Sequence, residues 1–425
     1  MFSFALIRQS SRLSHSSAIY KRPTVVNASV GTLVLGFLLL FPAFPTVISN
    51  EIHINIMAIL FAFFGLIFLG SVRVNNRSIF LLLTYFFLQG LLALSWGFDV
   101  IEGRAHFSDI LSSLRPLFLC ILVLFFAGFF GSNYQKGVQV FSTFCSIFVV
   151  LCFLFVVLES QLAGFDKVSY FLYKQESRDI LENAGISFFH TTYFAGYVYL
   201  FMFLLFGFKA LLGRSLFDGF MFLLSFLLLI WAQSKVYYVL IVIGIIFILF
   251  FCLQARAFYK FFTLIFLSTL GLVLFYFYGL YDLLKETNRT FLTLSVLLES
   301  PEASGSLGVR VNQVLFAFQE SYDNFLLGAG LGRGTSLESY LSNFTYRYGF
   351  LGLVIYFILF CSVAFTSISQ APRTMSAENR GLNLAIGIWF LMMPVSLLSS
   401  PMIETGKTAV FSCAVLGMWV ASWKR

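Results

Sequence analysis

An all-α polytopic membrane protein is the fold class this sequence predicts, and three observations carry it. Hydrophobic residues make up 59% of the 425 and charged residues 11%, with a mean hydropathy of +0.91, whereas a soluble domain carries about 25% charged residues. The apolar residues come in runs such as FLLLTYFFLQGLLALSW and VYYVLIVIGIIFILFFCL, close to the roughly 17 to 25 residues that a bilayer-spanning helix needs. The basic residues sit in ones and twos at the ends of those runs, where lysine and arginine set the orientation of spans. The net charge of +8 therefore reads as an orientation signal. It is not the clustered basic face of a nucleic-acid binder, and no nucleic-acid partner is expected.

Taken in order, residues 1–27 hold Arg8, Arg12, Lys21 and Arg22, many serines and no acid. This stretch reads as a cytoplasmic N-terminal arm under the positive-inside rule, with an organellar transit peptide as the alternative. Spans follow at about 29–49, 54–72, 78–96, 112–131, 138–158, 188–208, 216–232, 236–253, 261–281, 347–368, 381–400 and 408–422, roughly twelve transmembrane helices in all. With the N-terminus inside, the inner connections carry Arg73 and Arg77, Lys136, Lys209 and Arg214, Arg256 and Lys260, Arg373 and Arg380, and finally Lys424 and Arg425. The short outer connections hold few positive charges, and nearly all the acids, Glu51, Asp99, Glu102, Asp109 and Glu404 among them, fall outside. That agreement predicts that both termini are cytoplasmic.

The chain then divides into the arm 1–27; residues 28–281 with the first nine spans and an external loop at 159–187; a large external loop at 282–346; and 347–425 with the last three spans. No internal repeat and no soluble domain able to fold alone is visible. The six cysteines lie within or at the edge of apolar runs and form no CxxC or Cys/His cluster, so they read as packing residues. The four histidines are scattered, and no metal or other cofactor is expected.

Function is sought in the large loop, the longest polar stretch after the arm. Its middle reads GSLGVRVNQVLFAFQESYDNFLLGAGLGRG, the pattern of short amphipathic helices in an external loop. A helix opening at Arg310 puts Gln313, Ala317, Glu320 and Asn324 on one side and Val311, Val314, Leu315, Phe318 and Tyr322 on the other. Lys235, in a connection of about three residues between two spans, and Arg115, at the outer end of another, hold charges close to hydrocarbon. Such charges are costly and mark functional sites, or else they snorkel to the headgroups. With Arg310 and Arg178 they can form a cationic pocket for a lipid phosphate or pyrophosphate, since guanidinium forks bind phosphate bidentately and stabilise charge on a departing diphosphate.

Arg333 and Arg347, in the loop and at its edge, join the candidate substrate-binding set with Arg178, Arg115 and His190. His190 by position alone is an interfacial structural residue. The run GAGLGRG, Gly328 to Gly334, reads either as a nest of backbone N–H groups for phosphate or as a tight turn between loop helices. Glu338 is either a general base for a sugar hydroxyl or an acid in a first helical turn. Tyr170, Tyr173, Trp96 and Tyr340 can stack on sugar rings or sit at the interface, where such residues collect anyway.

Four segments recur together in order: NAGISFFHTTYFAGYVYLFMFLL entering a span after a long outer loop, WAQSK at a tight outer turn, GVRVNQVLFAF followed by FLLGAGLGRG, and ESYLSNFTYRYGFLGLVIYF re-entering the membrane. Over residues 178–360 this arrangement resembles the O-antigen polymerase and O-antigen ligase superfamily of bacterial inner membranes. The resemblance implies a C-type glycosyltransferase fold and a metal-independent enzyme acting on a polyprenyl-diphosphate-linked (undecaprenyl diphosphate) oligosaccharide. It also implies membrane lipid and a chain-length regulator as partners, and polysaccharide of the lipopolysaccharide type as product. The family's Ser-Arg pair at the tight turn corresponds to Ser234 and Lys235, a departure because lysine lacks the bidentate fork. The loop-helix arginine corresponds to Arg310. Where ligases carry a histidine ahead of the returning Gly-x-x-Gly, Glu338 precedes Gly349 and Gly352, which favours a polymerase over a ligase. The catalytic set implied is Arg310, Glu338 and Lys235.

Overall fold

The structure, a computed structural model, describes residues 28–44, 47–48, 50–67, 75–105, 109–173, 184–252, 305–331, 337–374 and 376–422. The N-terminal arm, the span expected at 261–281, the first part of the large loop, Arg178 and Arg333 lie outside the described residues. Among the described residues every regular element is a helix. In chain order they are α1 (Ala28–Leu40), α2 (Asn50–Ile67), α3 (Asn76–Ile101), α4 (Asp109–Ser113), α5 (Arg115–Gly131), α6 (Tyr134–Gln161) and α7 (Phe165–Tyr173). After these come α8 (Thr192–Gly213), α9 (Leu216–Trp231), α10 (Lys235–Cys252), α11 (Gly305–Glu320), α12 (Tyr340–Gln370), α13 (Ala377–Ser396) and α14 (Gly406–Ala421).

Five of these, α3, α6, α8, α10 and α12, are long and apolar enough to cross a membrane, and α1, α5, α9, α14 and the Ile56–Ile67 part of α2 are shorter apolar helices. Every expected span other than 261–281 overlaps a helix, although α1 ends at Leu40, well short of residue 49. Polar side chains set several boundaries: Asn75, Asn133, Ser215, Ser339 and Ser376 each accept from the backbone N–H three residues on, satisfying a donor that the first turn leaves open.

Helix α8 forms the centre. It is apolar on all sides, as a helix surrounded by others must be, and Ala195 to Phe208 are buried without a break. It packs against α9, α10 and α13, while α5 packs on α14 and α12 on α3 and α13. Polar bonds inside the bundle fix registers that apolar contact alone leaves free: Trp389 Nε1 donates to the Tyr197 carbonyl at 3.2 Å and the Tyr197 hydroxyl pairs with Ser412 at 2.8 Å. At one end of the bundle, Lys209 bridges Asp218 at 3.2 Å and Glu378 at 3.6 Å, tying α8, α9 and α13 together. Arg77, also buried, donates to the Trp419 carbonyl and the Ser422 hydroxyl and lies 4.6 Å over the Trp419 ring. The opposite end carries the candidate site.

Two expectations change here. The returning span does not open at Arg347 but at Tyr340, capped by Ser339, so Arg347 lies inside a helix. The loop helix α11 starts at Gly305 rather than at Arg310, and its faces divide differently: Arg310, Gln313, Ala317 and also Val314 face the protein, while Val311, Leu315, Phe318, Glu320 and, just beyond the helix, Tyr322 are left exposed. Asn324 falls beyond its end. Helical spacing separates two faces but says nothing of which one meets the protein, and beside a bilayer the apolar face belongs outside.

Candidate functional site

The site is built on a break in α12. At Gly349 the backbone takes φ +64°, ψ −171°, a conformation essentially confined to glycine. The N–H groups of Phe350 and Leu351, released from the helix, are taken up by the carbonyls of Phe325 and Leu326 in the loop after α11, at 2.9 and 3.4 Å. In return the Tyr346 carbonyl accepts from Ala329 N–H at 2.7 Å. A Cβ on Gly349 would run into Leu326, and one on Gly328 would lie 2.6 Å from the Tyr346 carbonyl oxygen. Two glycines thus let two backbones touch, and α11 rides on the N-terminal half of α12 with Phe316 stacked on Tyr346 at 6.2 Å.

The glycine run is not a phosphate nest over its described part. Ala329 N–H is spent on Tyr346, and Leu331 N–H donates to the Asp99 carboxylate at 2.7 Å. Arg104 holds the same turn, donating to the Ala329 carbonyl at 3.3 Å and pairing with Asp99 at 3.5 Å and with Glu102. A carboxylate on the donors repels an anion, so residues 328–331 are a turn pinned to the end of α3.

Around this platform the structure gathers cations in two groups. In the first, Arg310 Nη2 donates to the Tyr193 hydroxyl at 2.9 Å, and the guanidinium lies 5.3 Å from the centre of that ring. Lys235, the first residue of α10, is close enough to feel the Arg310 charge. It follows a tight turn in which Gln233 adopts φ +51°. Ser234 is buried there with a hydroxyl that finds no partner among the described residues. Gln313, one helical turn after Arg310, accepts from Glu338 N–H at 3.0 Å and leaves the Glu338 side chain exposed at the rim.

In the second group, Arg347 Nε donates to the Leu331 carbonyl at 3.0 Å, and its terminal nitrogens bond nothing among the described residues. Arg115, the first residue of α5, lies close enough for its charge to act on Arg347. The nearby acid is Glu404, in the turn between α13 and α14; one of its oxygens accepts from Tyr348 at 2.7 Å and also from Tyr356. The same turn reaches the first group, because Tyr237 on α10 pairs with Ser396 at 3.0 Å and contacts the Met402 sulfur at 3.5 Å.

Compared with known proteins, the chain matches no family model and no curated relative. The site therefore stands on its own geometry.

Of the residues singled out from sequence, Arg310, Lys235 and Glu338 come together, as do Arg115 and Arg347. His190 stacks parallel on Phe194 at 5.6 Å, a packing contact in the connection that also delivers Tyr193. Tyr340 packs on Phe344, and Tyr173 is occupied within the bundle end: its hydroxyl donates to the Leu40 carbonyl at 3.0 Å while Lys407 Nζ lies 4.5 Å over its ring and donates to the Phe188 carbonyl. Burial raises the Tyr173 phenol above its ordinary value, which keeps it a neutral donor. Sequence reasoning missed Tyr193, Asp99, Arg104, Tyr348, Tyr356 and the role of Glu404. A glycine inside a helical pattern two residues after an arginine, YRYGF, is the signal from which the break and its neighbours could have been found.

Chemically, clustered guanidinium and ammonium groups at one end of a helical bundle suit an anionic ligand, since they bind phosphate and carboxylate by charge and by directed N–H donors.

Proposed function

We propose that this chain is a multi-pass glycosyltransferase of about twelve spans that polymerises polyprenyl-diphosphate-linked oligosaccharide repeat units at the outer face of a bacterial inner membrane, with both termini cytoplasmic. The observation that carries this reading is the approach of Arg310 and Lys235, from a loop helix and a tight turn far apart in sequence, around Tyr193 at one end of a helical bundle. Two cations placed beside apolar helices fit a lipid headgroup that is itself anionic.

In the reaction, a hydroxyl of the acceptor unit attacks the anomeric carbon of the donor glycan. The new glycosidic C–O bond forms as the bond from that carbon to the diphosphate oxygen breaks, and the diphosphate leaves with the electron pair. Arg310 and Lys235 stabilise the charge that builds on it, with Arg115 and Arg347 available for the second phosphate-bearing group in the site. Glu338, exposed at the rim and tethered one turn from Arg310 by Gln313, accepts the hydroxyl proton.

The test is a gel profile of surface polysaccharide from cells lacking this protein, complemented with wild type or with Arg310→Ala. Loss of the polymer ladder with a single repeat unit kept on lipid A core, and no rescue by Arg310→Ala, supports the polymerase. Polymer stranded on its lipid carrier identifies a ligase instead. Repeat units held on the cytoplasmic face identify a flippase.

A further inference from the structure

We propose that Glu404 is a positioning residue that sets the Arg347 guanidinium by clamping the broken helix α12 on both sides of Gly349. Tyr348 precedes the break and Tyr356 follows it by two turns, and both donate to the same oxygen of Glu404. At the break the loop after α11 has taken the N–H groups of Phe350 and Leu351, so the helix ladder is weakened at Gly349. A further tie across the weakened point helps fix the angle between the two halves, and the α13–α14 turn provides one. Glu404 is 4% exposed, and its second oxygen is buried with no hydrogen-bond partner among the described residues, an arrangement costly enough to call for a purpose.

Arg347 stands next to Tyr348 in sequence and is held otherwise only through Nε and the Leu331 carbonyl. Fixing Tyr348 therefore fixes the Cα from which the guanidinium extends. The Glu404 charge also acts on Arg347 and opposes the repulsion from Arg115, so that two like charges can face one site in a low-dielectric setting. Sequence alone gives no hint of this: Glu404 lies 48 residues from Tyr356 and 56 from Tyr348, and it reads as one more acid at an outer helix edge.

The proposal rests on the diphosphate-binding reading above, and its test separates the two. Binding of farnesyl diphosphate is measured on the purified full-length protein in detergent for wild type, Arg310→Ala, Arg347→Ala, Glu404→Gln, Tyr356→Phe and the double variant Glu404→Gln/Arg347→Ala, with thermal unfolding recorded for each. Glutamine keeps an oxygen for the tyrosines but loses the charge and the symmetry of the carboxylate. We expect Glu404→Gln to weaken binding about tenfold, the scale on which groups that orient a binding side chain act. The double variant should be no weaker than Arg347→Ala alone, because Glu404 works through Arg347.

The sign of the effect discriminates. A mere counter-charge would, on removal, leave the site more positive and tighten the anion. Unchanged or tighter binding in Glu404→Gln, or additive losses in the double variant, overturns the proposal while leaving the diphosphate reading intact if Arg310→Ala and Arg347→Ala still weaken binding. If those two arginine variants bind like wild type, the diphosphate reading itself falls. Should Glu404→Gln fail to fold, Tyr356→Phe decides: it keeps the ring in place and should weaken binding in the same direction, and wild-type affinity there overturns the clamp.

Discussion

Arg310 shows how much one side chain is asked to do. Its Nη2 donates to the Tyr193 hydroxyl and its guanidinium lies over that ring, so the fork is held in one orientation, the one in which the proposed phosphate would meet it. Lysine keeps the charge but offers neither the planar fork nor the ring contact. Arg310→Lys should therefore lower polymerisation by about 10² or more, the range seen on loss of a donor aimed at developing charge, while membrane content stays at wild-type level. A ladder of wild-type length from Arg310→Lys would show that charge alone suffices. Gly349 is constrained for the opposite reason, because nothing but hydrogen fits there. Gly349→Ala should cost at least about 1–3 kcal/mol from backbone strain, read as a lowered thermal midpoint of the purified protein, and it should also weaken farnesyl diphosphate binding by moving Arg347. Arg310 was legible in the sequence because it stands in a polar stretch between apolar runs. Glu404 was not, since its partners are brought to it only by the packing of α12 against the turn between α13 and α14.

At the scale of elements, the loop after α11 is held at both edges: by α12 through the exchange around Gly349 and by α3 through Asp99 and Arg104. Asp99 receives the Leu331 N–H, and Leu331 in turn offers its carbonyl to Arg347, so the end of α3 reaches the site through one residue. Asp99→Ala leaves a buried N–H without its acceptor, a loss of about 1–3 kcal/mol, and frees the turn that seats Arg347. The expected result is faster amide hydrogen exchange at Ala329 and Leu331 with the exchange of α8 unchanged. Equal protection in both places would mean that α12 alone holds the loop. Periodicity located α11, but the face containing Ala317 and Val314 packs on the protein and the one with Leu315 does not. In water the apolar stripe turns inward. At a membrane the medium is apolar too, and the polar stripe is the one with something to hold.

For the whole molecule, hydropathy read the helical architecture, because it follows from the cost of leaving backbone groups unpaired in hydrocarbon, while the loop charges predict an orientation that the helices alone do not report. The two ends differ in how they treat their cations. Lys209 and Arg77 engage local partners and lock helices together, whereas at the other end Lys235 lies near Arg310 and Arg115 near Arg347. A locked end and an open end imply opposite sides of the membrane, and this polarity can be tested with single cysteines. Cys120, Cys145, Cys152 and Cys413 are buried, and replacing Cys252 and Cys361 by serine would leave little background. Glu338 is exposed at the open end, and Arg214 is exposed in a left-handed cap where α8 meets α9 at the locked one. An impermeant maleimide should label Glu338→Cys in cells whose outer barrier is removed, and Arg214→Cys only after the inner membrane is opened. Labelling of Arg214→Cys first would invert the protein and put the site on the cytoplasmic side, where polymerisation of repeat units at the outer face could not occur.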